Sequence, residues 1–138
     1  MAVALTRFTG TIDLSPGGEV ALTSSFSSGV ALLVSVAIAQ RFYVQGLDSL
    51  RALVRCSAIS ATAQGTDIRI WGILPPVTFD PATGTRTSAA LATASVANNV
   101  DGVLSVALNG ESVVEFELTR SASSGCTLGL ITFAGQRV

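Results

Sequence analysis

Val30-Ala31-Leu32-Leu33-Val34-Ser35-Val36-Ala37-Ile38-Ala39-Gln40-Arg41-Phe42-Tyr43-Val44 decides the fold, because its alanines and leucines suit a helix while Val30, Val34, Val36, Ile38 and Val44 favour a strand. Strand is the better reading. Taken by twos, Val30, Leu32, Val34, Val36, Ile38, Phe42 and Val44 share one face, and Ala31, Ser35, Ala37, Ala39, Arg41 and Tyr43 share the other. The second face is small until Arg41 and Tyr43, which suits a close neighbour over the alanines.

Working outward, the same alternation recurs in short runs bounded by turn residues. Upstream, Phe8, Ile12 and Leu14 oppose Arg7, Thr9, Thr11 and Asp13 up to the turn Ser15-Pro16-Gly17-Gly18, and a short strand follows with Val20 and Leu22 on one face. Downstream, Gln45 to Ser49 breaks the run and Leu50 to Ile59 resumes it, with Leu50, Ala52, Val54, Cys56 and Ala58 opposite Arg51 and Arg55. A short helix capped near Asp48 is the alternative there. Thr66 to Leu74 places Ile68, Ile70 and Gly72 on one face and Asp67, Arg69, Trp71 and Ile73 on the other, and Pro75-Pro76 ends it.

Phe79 to Ser88 is rich in turn residues and predicts a long excursion, expected to form an ordered arm lying on a neighbouring subunit; Ala89 to Val96 has weak strand and weak helix character. Asn98-Asn99-Val100-Asp101-Gly102 lacks the distal acid of a calcium loop and reads as a turn. Asn109-Gly110 is suited to a type I′ turn and predicts a hairpin between Val103–Leu108 and Ser112–Thr119, with Val114, Phe116 and Leu118 inward and Glu115 and Glu117 outward, solvated or arginine-paired. The last run, Cys126 to Phe133, sets Cys126, Leu128 and Leu130 against Ile131 and Phe133, so both faces are apolar and the strand is expected in the middle of a sheet or against another subunit.

The surface implied by this composition is unusual. Of the 138 residues 12% are charged and 49% apolar, with no histidine and no lysine, against about 25% charge in ordinary soluble domains. A net charge of −1 with scattered arginines supplies no field for nucleic acid. The longest apolar stretch, Gly29 to Ala39, is about half of what a membrane-spanning helix needs, so no membrane partner is expected. The opening Met1 to Arg7 has no basic start, apolar stretch and cleavage site, which predicts a chain made and assembled inside the cell.

Catalysis is not indicated. Cys56 and Cys126 have no histidine to activate them and no metal-ligand spacing; they are expected to be buried free thiols, with a bridge open to them only if their inner faces meet. Glu115 and Glu117 lie two apart on one face, a spacing near that of a sugar hydrolase, but nothing in the alternation puts either in an environment that would keep a general acid protonated. No catalytic residue, cofactor or metal site is expected. Trp71 beside Arg69 is a core residue of a second layer or, since both types are enriched at interfaces, an anchor for another protein.

About eight antiparallel strands in one domain over residues 1–138 predict an all-β sandwich, with the jelly roll as the expected topology. A weakly charged sandwich rich in Ala, Val, Thr and Ser resembles the capsid decoration, or cement, proteins of tailed bacteriophages. The likeness is one of style across the whole chain, carried by the Val30 to Val44 strand, by Gly46-Leu47-Asp48-Ser49-Leu50-Arg51 and by Asp67-Ile68-Arg69-Ile70-Trp71-Gly72, and no residue role transfers with it. It implies a non-enzymatic virion protein, assembled in the host cytoplasm, that joins as a homotrimer or homodimer to a lattice of major capsid protein. Within that reading Arg41, Tyr43, Arg69 and Trp71 are expected to make the protein contacts. The alternative is a carbohydrate-binding or adhesin-type sandwich in which Trp71 or Tyr43 stacks on a sugar.

Overall fold

The computed structural model describes residues 2–6, 19–22, 29, 31–44, 46–57, 65–74, 84–121 and 124–136. Ten strands run in the order β1 (Ala2–Thr6), β2 (Glu19–Leu22), β3 (Ala31–Leu32), β4 (Val36–Tyr43), β5 (Ser49–Ser57), β6 (Thr66–Gly72), β7 (Ala92–Val96), β8 (Asp101–Ala107), β9 (Val113–Arg120) and β10 (Cys126–Gln136), with no helix among the described residues. The expected alternation over Arg7 to Asp13 lies outside them. They form two sheets, β1-β4-β9-β6-β7 (sheet A) and β2-β10-β5-β8 (sheet B), with β3 beside the start of β10. The chain is an all-β sandwich, antiparallel throughout its named pairs except for β1, which runs parallel to β4.

Setting aside β1 and β3, the other eight strands pair in a nested way: β2 with β10, β4 with β9, β5 with β8, and β6 with β7. First meets last and the innermost two meet each other, as in one long hairpin folded over into two layers. This overturns the expected hairpin between residues 103–108 and 112–119. β8 pairs with β5 in sheet B and β9 pairs with β4 and β6 in sheet A, so Asn109-Gly110, with Gly110 at φ 89°, turns a connection that crosses between sheets. A corner with a left-handed glycine serves an arch as well as a hairpin, and the nested partners decide which forms.

The decisive stretch of the sequence is also divided. Ala31 and Leu32 pair with β10 in sheet B, whereas Val36 to Tyr43 belongs to sheet A; Ser35, at φ 64°, turns the chain from one sheet to the other. Alternation survives on either side, with Leu32, Phe42 and Val44 buried on the inner side and Ala37 and Ala39 wholly buried on the other. No helix forms at Asp48, and β5 begins at Ser49. In β10 a bulge between Leu128 and Ile131 adds a residue opposite β5. A bulge resets the period-two pattern, so Phe133 returns to the inner face with Cys126 and Leu128 instead of opposing them, and the strand lies between β5 and β2, in the middle of sheet B.

The core is the space between the two inner faces. Phe42 of β4 and Phe116 of β9 meet Phe133 of β10 across it, with ring centroids 4.4 Å and 4.7 Å apart, tilted and edge-on respectively. Such pairs contribute about 0.5–1.5 kcal/mol each beyond the burial of their area. At the free edges of the sandwich the sheets come closer: a Cβ on Gly102 would stand 2.3 Å from Val96 Cγ2, so β8 passes β7 only without a side chain at that position.

Candidate functional site

The four residues expected to make protein contacts occupy one surface of sheet A. Arg41 and Tyr43 stand on β4 and Arg69 and Trp71 on β6, and β9 runs between those strands with Glu115 opposite both Arg41 and Trp71, and Glu117 opposite Arg69. The odd-numbered residues of all three strands point away from the core because their even-numbered neighbours fill it. A single outer face therefore gathers arginine, glutamate and tryptophan.

The excursion supplies the missing member. Residues 75–83 lie outside the described part, but Leu74 N–H donates to Thr85 O, Thr87 N–H to Gly72 O and Leu91 N–H to Ile70 O, so residues 85–91 run back along β6. The described half of the expected arm thus lies against its own chain. Ile73 bridges Arg86 there, which puts the Arg86 side chain on the outer face beside Trp71. Arg86 was not expected from the sequence, where Thr85-Arg86-Thr87 reads as turn; the only signal was its polar-flanked position after a strand.

The resulting cluster holds three guanidinium groups on two carboxylates. Arg41 Nε donates to Glu115 Oε1 at 3.0 Å, Arg86 Nε donates to Glu115 Oε2, and Arg86 Nη2 donates to Glu117 Oε2 at 2.7 Å. Arg69 Nη1 stands 3.6 Å from Glu117 Oε1, to which Trp71 Nε1 also donates at 3.4 Å. The Arg86 guanidinium also sits 4.9 Å from the centre of the Trp71 ring, within the range of a cation–π contact. Burial works against the charge of Arg86, yet its hydrogen bonds to Glu117 and Glu115 and their negative charge outweigh that, and the guanidinium is held above its ordinary value.

Glu115 and Glu117 are therefore arginine-paired as expected but not solvated: they are 2% and 5% exposed. Arg41 is likewise enclosed at 7%, while Tyr43, Arg69 and Trp71 reach the surface in part. The two enclosed carboxylates and the arginines clamped on them form a clasp that ties β4 and the 85–91 segment to β9. Beside it, Asp67, Arg69, Thr93 and Ser95 edge an open recess of about 420 Å³, in which Ser95 Oγ donates to Asp67 Oδ1 at 2.7 Å. Among the described residues no group of three or more His, Cys, Asp or Glu is placed to hold a metal.

Sheet B has a different outer face. Val103 of β8, Leu53 of β5 and Thr132 of β10 lie directly across from one another, and Ala31, Leu33, Ser57, Gly125 and Thr127 surround a surface recess at one end. Val103 is 58% and Leu33 59% exposed. The charges set among them are few: Arg55 pairs loosely with Asp101 at 3.5 Å, and Arg51 lies one row further along.

Cys56 and Cys126 are both buried and free, on the inner face of sheet B. Burial pushes the Cys56 thiol up from 9.0 to about 11, with Cys126 adding to the rise and Thr66 and Arg120 opposing it. A proton that the fold holds and the unfolded chain releases makes stability fall with rising pH. We expect full stability below about pH 9 and a loss on the order of 2 kcal/mol between about pH 9 and pH 11. Urea unfolding at about pH 8 and pH 11 checks this, and the part due to Cys56 disappears in Cys56→Ser.

No protein-family model matches this chain, and no curated protein matches it. Among solved structures, one region of tripeptidyl peptidase 2 superposes with a TM-score of 0.57 at 10% identity over 94% of this chain, spanning 10% of that much longer protein. The periplasmic g-type lysozyme inhibitor PliG of Aeromonas hydrophila (TM-score 0.45, 8% identity, 98% of both chains) is also similar. So are the CBM22-1 and GH10 modules of Clostridium thermocellum xylanase 10B, solved with xylohexaose (TM-score 0.45, 15% identity, 87% of this chain and 22% of that one). At these identities the likeness is one of fold alone.

Proposed function

We propose that this chain is a non-enzymatic structural protein that stabilises a protein lattice, in the specific form of a capsid decoration protein of a virion, working as a homotrimer or homodimer on a major capsid protein. The observation that carries the reading is the outer face of sheet B, where exposed Val103 and Leu33 stand among serines, threonines and alanines, with charge confined to Arg51 and to the loosely paired Arg55 and Asp101. Covering apolar surface stabilises by about 25 cal/mol per Å² before association costs are subtracted. Repetition over a lattice multiplies a modest single contact. The nested pairing of the eight strands supports a jelly-roll form of the sandwich.

On the opposite face Tyr43, Arg69 and Trp71 remain partly reachable and serve as contacts to the second partner, while Arg41 positions Glu115 beneath them. The occupied Trp71 ring favours this over sugar stacking, since Arg86 already lies over it. Two measurements test the proposal. Co-sedimentation with capsids assembled in the absence of this chain is expected to show saturable binding, and unbound protein at all ratios would refute it. Titration with soluble glycans is expected to leave tryptophan fluorescence unchanged; a saturable quench would instead establish the carbohydrate-binding alternative.

Val103→Glu places a charge on β8, at the edge of the sheet B outer face, where the side chain is exposed. It is expected to change the unfolding free energy by less than about 0.5 kcal/mol. Self-association should weaken at least tenfold, read from the concentration dependence of the solution mass.

A further inference from the structure

The two cysteines, far apart in sequence, meet inside the sandwich. Leu128 pairs with Cys56 and Thr127 with Ser57, so Cys126 lies diagonally from Cys56 on adjacent strands β10 and β5, both facing inward. Thr66, from the facing sheet, closes the group: its Oγ1 is 3.8 Å from Cys126 Sγ, and both it and Cys126 are near enough to influence the Cys56 thiol. Arg120 is close by and only 4% exposed. Its Nε donates to Ser124 O and its Nη1 to Asn98 Oδ1, both at 2.7 Å, while Nη2 has no partner. A buried guanidinium served by neutral acceptors alone is an unspent positive charge beside the thiols.

We propose that Cys56 and Cys126 are a built-in redox staple, closing to a reversible disulfide between β5 and β10 when the protein meets a peroxide. Closure brings the sulfurs to about 2.05 Å by side-chain rotation and a narrowing of the strand diagonal, which in a regular sheet is about 7–8 Å and must come within about 7 Å for the bond to form. Cys126 reacts first, because it is 7% exposed against 0% for Cys56 and borders the surface recess of about 190 Å³ with Leu32, Leu33 and Gly125. Its thiolate attacks one peroxide oxygen, the O–O bond breaks, and water leaves behind a sulfenic acid. The Cys56 thiolate then attacks that sulfur, the S–S bond forms, and the hydroxyl departs as a second water. In sum two thiols and one hydrogen peroxide give one disulfide and two waters, the two electrons passing from sulfur to oxygen.

Arg120 stabilises the Cys56 thiolate in the second step, and burial keeps that thiolate scarce, so the staple closes slowly and the reduced pair persists in a reducing compartment. Once closed it ties off a loop of about 70 residues in the unfolded chain, which raises the melting temperature by about 10 °C.

The test is to expose the folded, full-length protein to hydrogen peroxide, then count free thiols after unfolding in guanidinium and record the intact mass and melting curve. Both thiols are expected to vanish together with a mass loss of two hydrogens, no chain-to-chain link, the rise in melting temperature, and full reversal by dithiothreitol. Oxygen adducts on Cys126 with Cys56 still a thiol, a covalent dimer, or thiols that survive peroxide treatment sufficient to oxidise the unfolded chain would each overturn the proposal. Cys126→Ala, at the start of its strand, and Cys56→Ala should each abolish the rise in melting temperature, and either variant suffices if the other does not fold.

Discussion

Glu115→Ala is expected to cost about 3–5 kcal/mol of unfolding free energy, a large part of the roughly 5–15 kcal/mol that holds a domain together. Glu115 is 2% exposed and carries Arg41 on one oxygen and Arg86 on the other. Removing it takes that carboxylate from the enclosed Arg41 and one of the two carboxylates that hold Arg86 to β9. The loss therefore reflects enclosed guanidinium charge deprived of a counter-charge more than the worth of the ion pairs, which a well-packed apolar set of similar volume replaces at little cost. Glu115→Gln keeps the volume and one acceptor and should fall between the two. Urea unfolding followed by tryptophan fluorescence checks both, with Trp71 reporting on the clasp itself through Arg86.

Phe133→Ala should be as damaging, about 3–5 kcal/mol, for a different reason. Phe133 reaches from sheet B to both Phe42 and Phe116 of sheet A and is 3% exposed. Truncation removes the side chain that joins the two layers and opens a cavity between strands fixed by pairing on both sides, so the site cannot collapse to fill it. Phe133→Leu restores most of the volume and should lose about half as much. Calorimetry or denaturant midpoints distinguish the two, and a loss below about 1 kcal/mol for the alanine variant would mean that the sheets are held elsewhere.

What was legible in the sequence follows from which interactions are local. Thr66 to Gly72 and Val36 to Val44 alternate because each has one face on the core, and a one-residue slip would turn every side chain to the wrong side. The sandwich, the inward Val114-Phe116-Leu118 row and the common face of Arg41, Tyr43, Arg69 and Trp71 all follow from that periodicity. Partner choice does not. Asn109-Gly110 specifies a corner, yet nothing near it says that β8 belongs beside β5 instead of β9. Ser35 in a left-handed conformation and the bulge after Leu128 are single-residue events that redirect a strand without leaving a pattern. The burial of Glu115 and Glu117 depends on Arg86 arriving from the excursion, a tertiary contact that the turn-rich composition conceals.

The central functional claim is that the sheet B outer face is a contact surface between copies, and the most direct measurement of it is the solution mass of the purified protein by light scattering across a concentration series. A mass that climbs to two or three times 14.0 kDa, and that Val103→Glu returns to the single chain, is the predicted result. A wild-type protein that stays at 14.0 kDa at every concentration, indistinguishable from the variant, would contradict it.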